Sequence, residues 1–419
     1  MKPVRDIAAS PAVIFCAAIS TRLAASIYIL QKYVSPQQLF VRNEPSHIAA
    51  ALASGLGFSS PYANTPIAPT AQQPPLYPFL LAAIFKIFGI YTTQSAWIIV
   101  LLHILAGSLT AVLIYWVGKL HFGQTVGVVA AWIWVLPWMF QARSFAVSLT
   151  NAYLAGLGFA GFLLWFSKVM KQDRRWFWLG IYAGLLLLLQ AAFLPVFLVY
   201  ALKLVSSKAQ RARIYAALAG VLIVLLPWTV RNYAAMGSFI PIRDNFGLEL
   251  WLGNRPGMQG TLDYGRDFPG IDPASYIRLG EVHFMHSKGV EAWNFIVSNP
   301  GAFFGRCLRR IIEFWYVPYP LSWIAFSVLG WIGSCLAWKR GNSAWLFMTP
   351  IAVFPLVYYL THVYAAYRYP IQPVITLLAA YVVVESTGHI QQKWIWGVSR
   401  TSSGSKPGLA LNSSAKSSR

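Results

Sequence analysis

Charged residues are scarce in this chain, and acidic ones are the scarcest. Only 11% of the 419 residues are charged, with 12 Asp and Glu against 33 Lys and Arg, whereas a soluble domain has about 25%. Cysteine is rare as well, and Cys16, Cys307 and Cys335 show no spacing typical of metal ligands. The chain also lacks a short internal repeat, which argues against a solenoid. These absences exclude a string of ordinary soluble domains.

Long runs of apolar residues occupy much of this weakly charged chain. Apolar residues make up 57% of the chain, and runs near twenty residues, long enough to cross a bilayer, recur from end to end. We therefore predict an all-α polytopic membrane protein with about ten transmembrane helices. The expected spans are residues 11–30, 95–117, 126–141, 147–166, 177–189, 193–205, 214–230, 322–338, 345–360 and 371–384.

The net charge of +21 follows this topology and does not indicate a nucleic-acid partner. Much of the basic charge lies in short loops, where the positive-inside rule places it. We therefore expect a protein of the cell membrane with both termini in the cytoplasm. Segments 34–93 and 231–320 are then on the external side. We expect residues 1–390 to form the membrane domain. The Ser- and Lys-rich residues 391–419 are expected to form a disordered cytoplasmic tail.

The external segments carry the distinctive motifs. The first contains Asn-Glu-Pro-Ser-His at 43–47, Gly-Leu-Gly-Phe at 55–58 and Pro-Pro-Leu-Tyr-Pro at 74–78. The second begins after Pro-Trp at 227–228 with Arg-Asn-Tyr and continues through Asp-Asn-Phe-Gly at 244–247 and Gly-Asn-Arg-Pro at 253–256. A third motif, Tyr-Arg-Tyr-Pro at 367–370, precedes the last span. We expect short amphipathic helices over 44–54 and 75–88 and a longer one over 274–298.

Glu44 is the natural candidate for a catalytic base, because it is one of few carboxylates and lies in a structured external loop. The alternative is a carboxylate that only stabilises the start of a helix. His47 lies on the same helical face. It is a candidate for orienting Glu44 or binding an acceptor, and the alternative is an ordinary polar loop histidine.

Arginines at the external face are candidates for binding a phosphate, because the planar guanidinium donates two parallel hydrogen bonds. Arg368, Arg231 and Arg243 are the main candidates, followed by Arg309 and Arg310. The alternatives are snorkelling to lipid headgroups and structural pairing.

The chain resembles the GT-C class of integral-membrane glycosyltransferases, in the branch of protein O-mannosyltransferases and the aminoarabinose transferase. The resemblance covers residues 8–390 and rests on the order and spacing of the motifs above. It implies a GT-C fold, a polyprenyl-phosphate sugar donor, inversion at the sugar and an acceptor at the external membrane face. It also implies that Glu44, the first-loop acidic residue, is the base.

Metal dependence has little support in the sequence. Some relatives carry an acidic residue and a lysine directly before the Pro-Pro pair, the acidic one as a metal ligand, but Gln72 and Gln73 stand there. His283 and His286 form a His-x-x-His pair without an evident third ligand. We assign no metal ligand and no certain cofactor, and a weakly supported divalent metal stays open as an alternative.

The predicted function is a transferase that moves a sugar from a polyprenyl-phosphate carrier to a hydroxyl of a glycolipid, a cell-envelope polymer or a protein. The alternative is a transporter or flippase of lipid-linked sugars. A transporter would be expected to show inverted repeats and polar residues spread through several spans. The sequence shows neither.

Overall fold

The computed structural model describes residues 6–32, 36–40, 43–62, 65–135, 149–171, 175–258, 272–316, 322–341 and 344–401. Within them the chain is almost entirely helical, with seventeen α-helices and no strand. In chain order the helices are α1 Pro11–Lys32, α2 Glu44–Ala53, α3 Leu76–Phe88, α4 Thr93–Phe122, α5 Gln124–Val135, α6 Ala152–Lys171, α7 Trp176–Leu189, α8 Leu194–Val205, α9 Arg211–Met236, α10 Phe246–Asn254, α11 Pro273–Leu279, α12 Glu281–Ser298, α13 Pro300–Tyr316, α14 Ser322–Lys339, α15 Ala344–Val353, α16 Leu356–Leu360 and α17 Gln372–Thr401.

Five segments are long and apolar enough to cross a membrane among the described residues. They are Pro11–Lys32, Thr93–Phe122, Ala152–Lys171, Arg211–Met236 and Ala366–Thr387. Six shorter apolar helices accompany them. The protein is thus a multi-pass membrane protein, but the predicted count of about ten spans is not confirmed.

Helices α4, α5, α6 and α17 pack around one continuous apolar core, with α1 against α4. Helices α7 and α9 lie unusually close together, because glycines replace side chains at their crossing. A Cβ on Gly180 would lie 1.9 Å from the Ala217 carbonyl oxygen, and one on Gly220 would lie 2.2 Å from that of Phe177. No larger residue fits there without separating the helices.

The helices in the segments predicted to be external mostly begin and end where the sequence indicates. Asn43 caps α2, since its side chain accepts a hydrogen bond from the Ser46 amide and Pro45 occupies the first turn. The predicted helices over 44–54 and 75–88 are confirmed as α2 and α3.

Two boundaries differ from the predictions. The helix predicted over 274–298 is split in two at Gly280, whose φ of +71° favours glycine. Helix α17 continues to Thr401, so residues 391–401 of the predicted disordered tail are helical. Residues 402–419 lie outside the described residues, as does the whole interval 259–271 of the segment predicted to be external.

Candidate active site

A cavity of about 890 Å³ lies where the two segments predicted from the sequence to be external, 34–93 and 231–320, meet the ends of several apolar helices. Most of its walls come from six parts of the chain. They are the start of α2, the Gln-Gln-Pro-Pro segment before α3, the starts of α6 and α8, the Arg243–Leu252 stretch, and the loop after α16. The fold thus brings together segments that are far apart in sequence.

Glu44 lines this cavity at the first turn of α2. Asn43 fixes this turn by donating from Nδ2 to the Leu149 carbonyl at 2.9 Å, which joins the first external segment to the start of α6. Within the described residues no other residue forms a hydrogen bond or an ion pair with the Glu44 carboxylate, and its own backbone amide is the donor beside it. It faces an open space at the protein interior and remains available to a ligand.

The surroundings of Glu44 raise its pKa from 4.5 to about 7. Burial is the main cause, because the cavity lies beneath protein on most sides and the charged form loses hydration there. The Glu249 charge also raises the pKa, whereas the Arg243 charge lowers it. A carboxylate with this pKa is well matched to accepting a proton near neutral pH.

Arg243 and Glu249 form an ion pair on the cavity wall. Arg243 Nη2 donates to Glu249 Oε1 at 3.2 Å, and Arg243 Nε donates to the Gln72 carbonyl at 3.1 Å. Asn245 donates to the same Glu249 oxygen. These contacts hold the guanidinium at the cavity with about a quarter of its side chain exposed.

His362 completes this group from the loop after α16. Its Nε2 lies 3.4 Å from Glu249 Oε2 and 3.1 Å from the Tyr367 hydroxyl. Burial lowers the pKa of His362, so the imidazole is neutral at pH 7. Its Nδ1 is buried and has no hydrogen-bond partner within the described residues.

Glu249 and His362 were not among the site residues predicted from the sequence. Each lies near a motif that was recognised, Glu249 two residues after Asp-Asn-Phe-Gly and His362 five residues before Tyr-Arg-Tyr-Pro. The ordinary signal that could have found them is their position as rare ionisable groups within external motifs.

His47 does not line the cavity. Its Nδ1 lies 3.2 Å from the Tyr91 hydroxyl, and the two rings pack edge to face. Burial lowers its pKa. This position fits the alternative reading of a polar histidine that secures α2 against the segment before α4.

Arg231 and Arg368 also lie outside the cavity lining. Arg231 donates to the carbonyls of Phe58 and Thr70 at 2.6 and 2.7 Å, so it fastens the first external segment to α9. Arg368 is 1% exposed and donates to Gln372 Oε1, Ser327 Oγ and the Trp315 carbonyl. The contacts of both arginines fit structural pairing better than phosphate binding.

A second acidic group lies behind the cavity wall. Glu281 accepts hydrogen bonds from the Ala71 amide and the Tyr276 hydroxyl, both at 2.6 Å, and Asp244 lies beside it. Burial and the Glu281 charge raise the pKa of Asp244 to about 8. The described residues hold no group of three or more His, Cys, Asp or Glu side chains that could bind a metal.

Comparison with known proteins places this architecture. A family model described as dolichyl-phosphate-mannose-protein mannosyltransferase matches residues 72–230, which is less than half of the chain. The archaeal oligosaccharyltransferase AglB from Archaeoglobus fulgidus, solved with an inhibitory peptide and a dolichol-phosphate, superposes with a TM-score of 0.55 at 13% identity. The match covers 96% of this chain and 52% of that one. The predicted resemblance is confirmed. The chain has the GT-C fold.

Other solved structures show how far the structural similarity extends. The apo form of an Archaeoglobus fulgidus oligosaccharyltransferase matches with a TM-score of 0.52 at 15% identity, over 94% of this chain and 53% of that one. This chain therefore spans about half the length of the oligosaccharyltransferases that it matches. ArnT from Cupriavidus metallidurans, bound to undecaprenyl phosphate, is 14% identical over 82% of this chain and 72% of that one, with a TM-score of 0.34, too low to support an argument. No curated protein matches the chain.

Proposed function

We propose that the chain is a glycosyltransferase that moves a sugar from a polyprenyl-phosphate carrier to an acceptor hydroxyl in the cavity. The observation that carries the proposal is that a carboxylate, Glu44, and a guanidinium, Arg243, both line one cavity. Transfer by direct displacement needs both a base for the acceptor and a positive charge for the leaving phosphate. The GT-C fold and the mannosyltransferase family match are consistent with this chemistry.

The proposed step is a single displacement. Glu44 takes the proton of the acceptor hydroxyl as its oxygen forms a bond to the anomeric carbon of the sugar. The bond from that carbon to the phosphate oxygen breaks, and the carrier phosphate leaves with both electrons of the bond. Attack from the face opposite the leaving group inverts the anomeric centre.

Arg243 is the residue that we assign to the leaving phosphate. Glu249 and the Gln72 carbonyl fix its guanidinium, so little conformational entropy is lost when a phosphate binds. Its Nη1 has no partner among the described residues. Arg368 and Arg231 remain structural in this proposal, since their donors point to protein carbonyls and side chains.

We further propose that transfer occurs at the external face of the cell membrane, with a lipid, cell-envelope polymer or protein as the acceptor. The clustering of basic residues in the opposite loops supports this orientation. The carrier class is supported by the name of the matching family model and by the dolichol-phosphate bound to AglB. No divalent metal is assigned a role.

The test is sugar release from radiolabelled polyprenyl-phosphate sugars by purified protein in nanodiscs, comparing the wild type with Glu44→Gln. Loss of a general base lowers the rate by about 10²–10⁴-fold, so Glu44→Gln is expected to bind the donor and to release almost no sugar. Glu291→Gln is the matched control, because Glu291 pairs with Lys288 on the outer surface. Undiminished turnover by Glu44→Gln would show that the base is misassigned. Absence of turnover by both proteins, together with movement of the sugar lipid across the membrane when both are placed in liposomes, would identify a transporter.

A further inference from the structure

The cavity has a side wall that the proposed transfer step does not use. Gln72, Asn151 and Gln190 all line it. They come from the segment before α3, the start of α6 and the break between α7 and α8. Three uncharged amides from separate elements therefore converge on the cavity that holds Glu44 and Arg243.

Gln72 carries the strongest sign of a missing ligand. The residue is 3% exposed, and its Oε1 is buried without a hydrogen-bond partner within the described residues. Its backbone is fixed, because its amide donates to Thr70 Oγ1 and its carbonyl accepts from Arg243. An unsatisfied buried acceptor is costly, and turning the Gln72 side-chain amide so that Oε1 faces the cavity would let a ligand hydroxyl remove that cost.

Asn151 and Gln190 form the other part of this wall. Asn151 Nδ2 donates to the Leu189 carbonyl at 2.5 Å, which holds the end of α7 against the start of α6 and leaves Asn151 Oδ1 available. Gln190 is 8% exposed, and its side-chain amide makes no hydrogen bond to another described residue. An amide both donates and accepts, as does a sugar hydroxyl.

We infer that Gln72, Asn151 and Gln190 form a subsite for the hydroxyl groups of an uncharged sugar on the donor. The inference rests on the proposed function and specifies its substrate class. Aromatic rings on the same cavity, those of Phe246 and Tyr364, are 51% and 37% exposed and offer faces for the apolar side of a sugar ring.

The charges around the cavity also favour an uncharged sugar. Among the described residues that line it, Arg243 is the only Lys or Arg, and the carrier phosphate takes up its charge. The carboxylate of an acidic sugar would add a second negative charge to that of the phosphate. None of the described residues that line the cavity offers a second Lys or Arg to balance it.

An amino sugar is disfavoured for the complementary reason. It would need a carboxylate, yet Glu249 is already shared by Arg243, Asn245 and His362. Glu44 is committed to the acceptor proton. An uncharged sugar needs neither kind of partner.

The experiment measures equilibrium binding to the full chain in nanodiscs. The four probes are undecaprenyl phosphate without sugar and the same carrier bearing glucose, glucuronate or 4-amino-4-deoxyarabinose. We expect the glucosyl carrier to bind at least about tenfold more tightly than the bare carrier, with the two charged sugars giving no such gain. Equal gains for glucose and a charged sugar would overturn the inference.

Gln72→Leu and Gln94→Leu separate the subsite from general damage. Gln72→Leu is expected to weaken binding of the glucosyl carrier by about 3- to 10-fold, the effect of one lost hydrogen bond, and to leave binding of the bare carrier unchanged. Gln94 is exposed and outside the cavity, so Gln94→Leu is expected to match the wild type. An equal loss for both carriers would make Gln72 a structural residue and contradict the inference. Failure of the wild type to bind any carrier would overturn the proposed function and the inference with it.

Discussion

Arg243 donates a hydrogen bond from Nη2 to Glu249 Oε1 at 3.2 Å, and the pair lies on the wall of the cavity that Glu44 also lines. Both charges act on the Glu44 carboxyl. Glu249 raises its pKa and Arg243 lowers it, while burial sets the main rise to about 7. The pair therefore fixes the guanidinium that we propose for phosphate binding and at the same time adjusts the pKa of the proposed base.

The first prediction concerns the pH dependence of transfer. Glu44 acts as a base only when it is ionised, so the rate of sugar transfer is expected to increase with pH and to level off above about 7. In Glu249→Gln a negative neighbour is lost, which lowers the pKa of Glu44. The rising limb of the pH–rate profile is then expected to move to lower pH. The measurement is kcat between pH 5 and pH 9 with saturating donor.

Lys288→Gln with Glu291→Gln serves as a control for that profile, because this surface ion pair lies outside the cavity lining. The rising limb of the pH–rate profile of this double variant is expected to coincide with that of the wild type. If the rising limb of the Glu249→Gln profile stays in place or moves to higher pH, the electrostatic role of Glu249 is contradicted.

The second prediction concerns Arg243. In Arg243→Gln the carrier phosphate loses its charged partner, so binding of undecaprenyl phosphate is expected to weaken by about 10- to 100-fold, as for one charge-assisted hydrogen-bonded contact. The pKa of Glu44 is also expected to rise, since Arg243 lowers it, and the pH limb moves upward. Arg278→Gln is the matched control, because Arg278 is exposed on α11. Unchanged carrier affinity in Arg243→Gln would remove Arg243 from the phosphate site.

The third prediction separates Arg368 from substrate binding. Arg368→Met removes the donor to the buried Gln372 Oε1, at a cost of about 1–3 kcal/mol for this acceptor left unpaired. The Trp315 carbonyl, by contrast, keeps the Ser327 hydroxyl as a donor. We expect a lower thermal unfolding temperature in detergent, with carrier affinity unchanged in the folded fraction. Arg340→Met, at a surface ion pair with Glu385, is expected to have a much smaller effect. A selective loss of carrier affinity at unchanged stability would restore Arg368 as a phosphate ligand.

These cases show which parts of the site can be predicted from sequence. The helix α2 and the position of Glu44 in its first turn were predictable, because Asn43, Glu44 and Pro45 form a helix start within a few residues. The partners of Arg368 were not, because the carbonyls of Phe314 and Trp315 come from α13, and no local pattern shows that α13 packs on the final span. The contact of Glu249 with His362 is hidden for the same reason.

The number of spans could not be predicted for a different physical reason. Helices such as α7 and α8 are apolar but only 14 and 12 residues long, shorter than the roughly 20 residues needed to cross a bilayer. Hydropathy detects apolar character equally in a span and in a short buried helix. The length and packing of each helix in the folded structure are needed to distinguish a membrane span from a short buried helix.

The last prediction concerns Asp244 and Glu281, which join the two external segments behind the cavity. Glu281 accepts from the Ala71 amide, and the Asp244 amide donates to the Ala71 carbonyl at 3.2 Å. In the folded state the pKa of Asp244 is raised from 3.8 to about 8 by burial and by the Glu281 charge. The folded state therefore binds more protons than the unfolded state between these two values, and stability is expected to fall as pH rises from about 4 to about 8.

Asp244→Asn removes this pH dependence while keeping the shape and a hydrogen-bond donor toward Glu281. The variant is expected to be more stable than the wild type at pH 8, with the difference shrinking toward pH 4, in thermal unfolding followed by tryptophan fluorescence. Asp272→Asn is a matched control, since Asp272 caps α11 on the exposed surface. A constant difference between Asp244→Asn and the wild type across this range would show that Asp244 does not hold a proton in the folded protein. Gln72 and Arg243 adjoin this junction, so alkaline loosening of it is expected to weaken carrier binding in the wild type more than in Asp244→Asn.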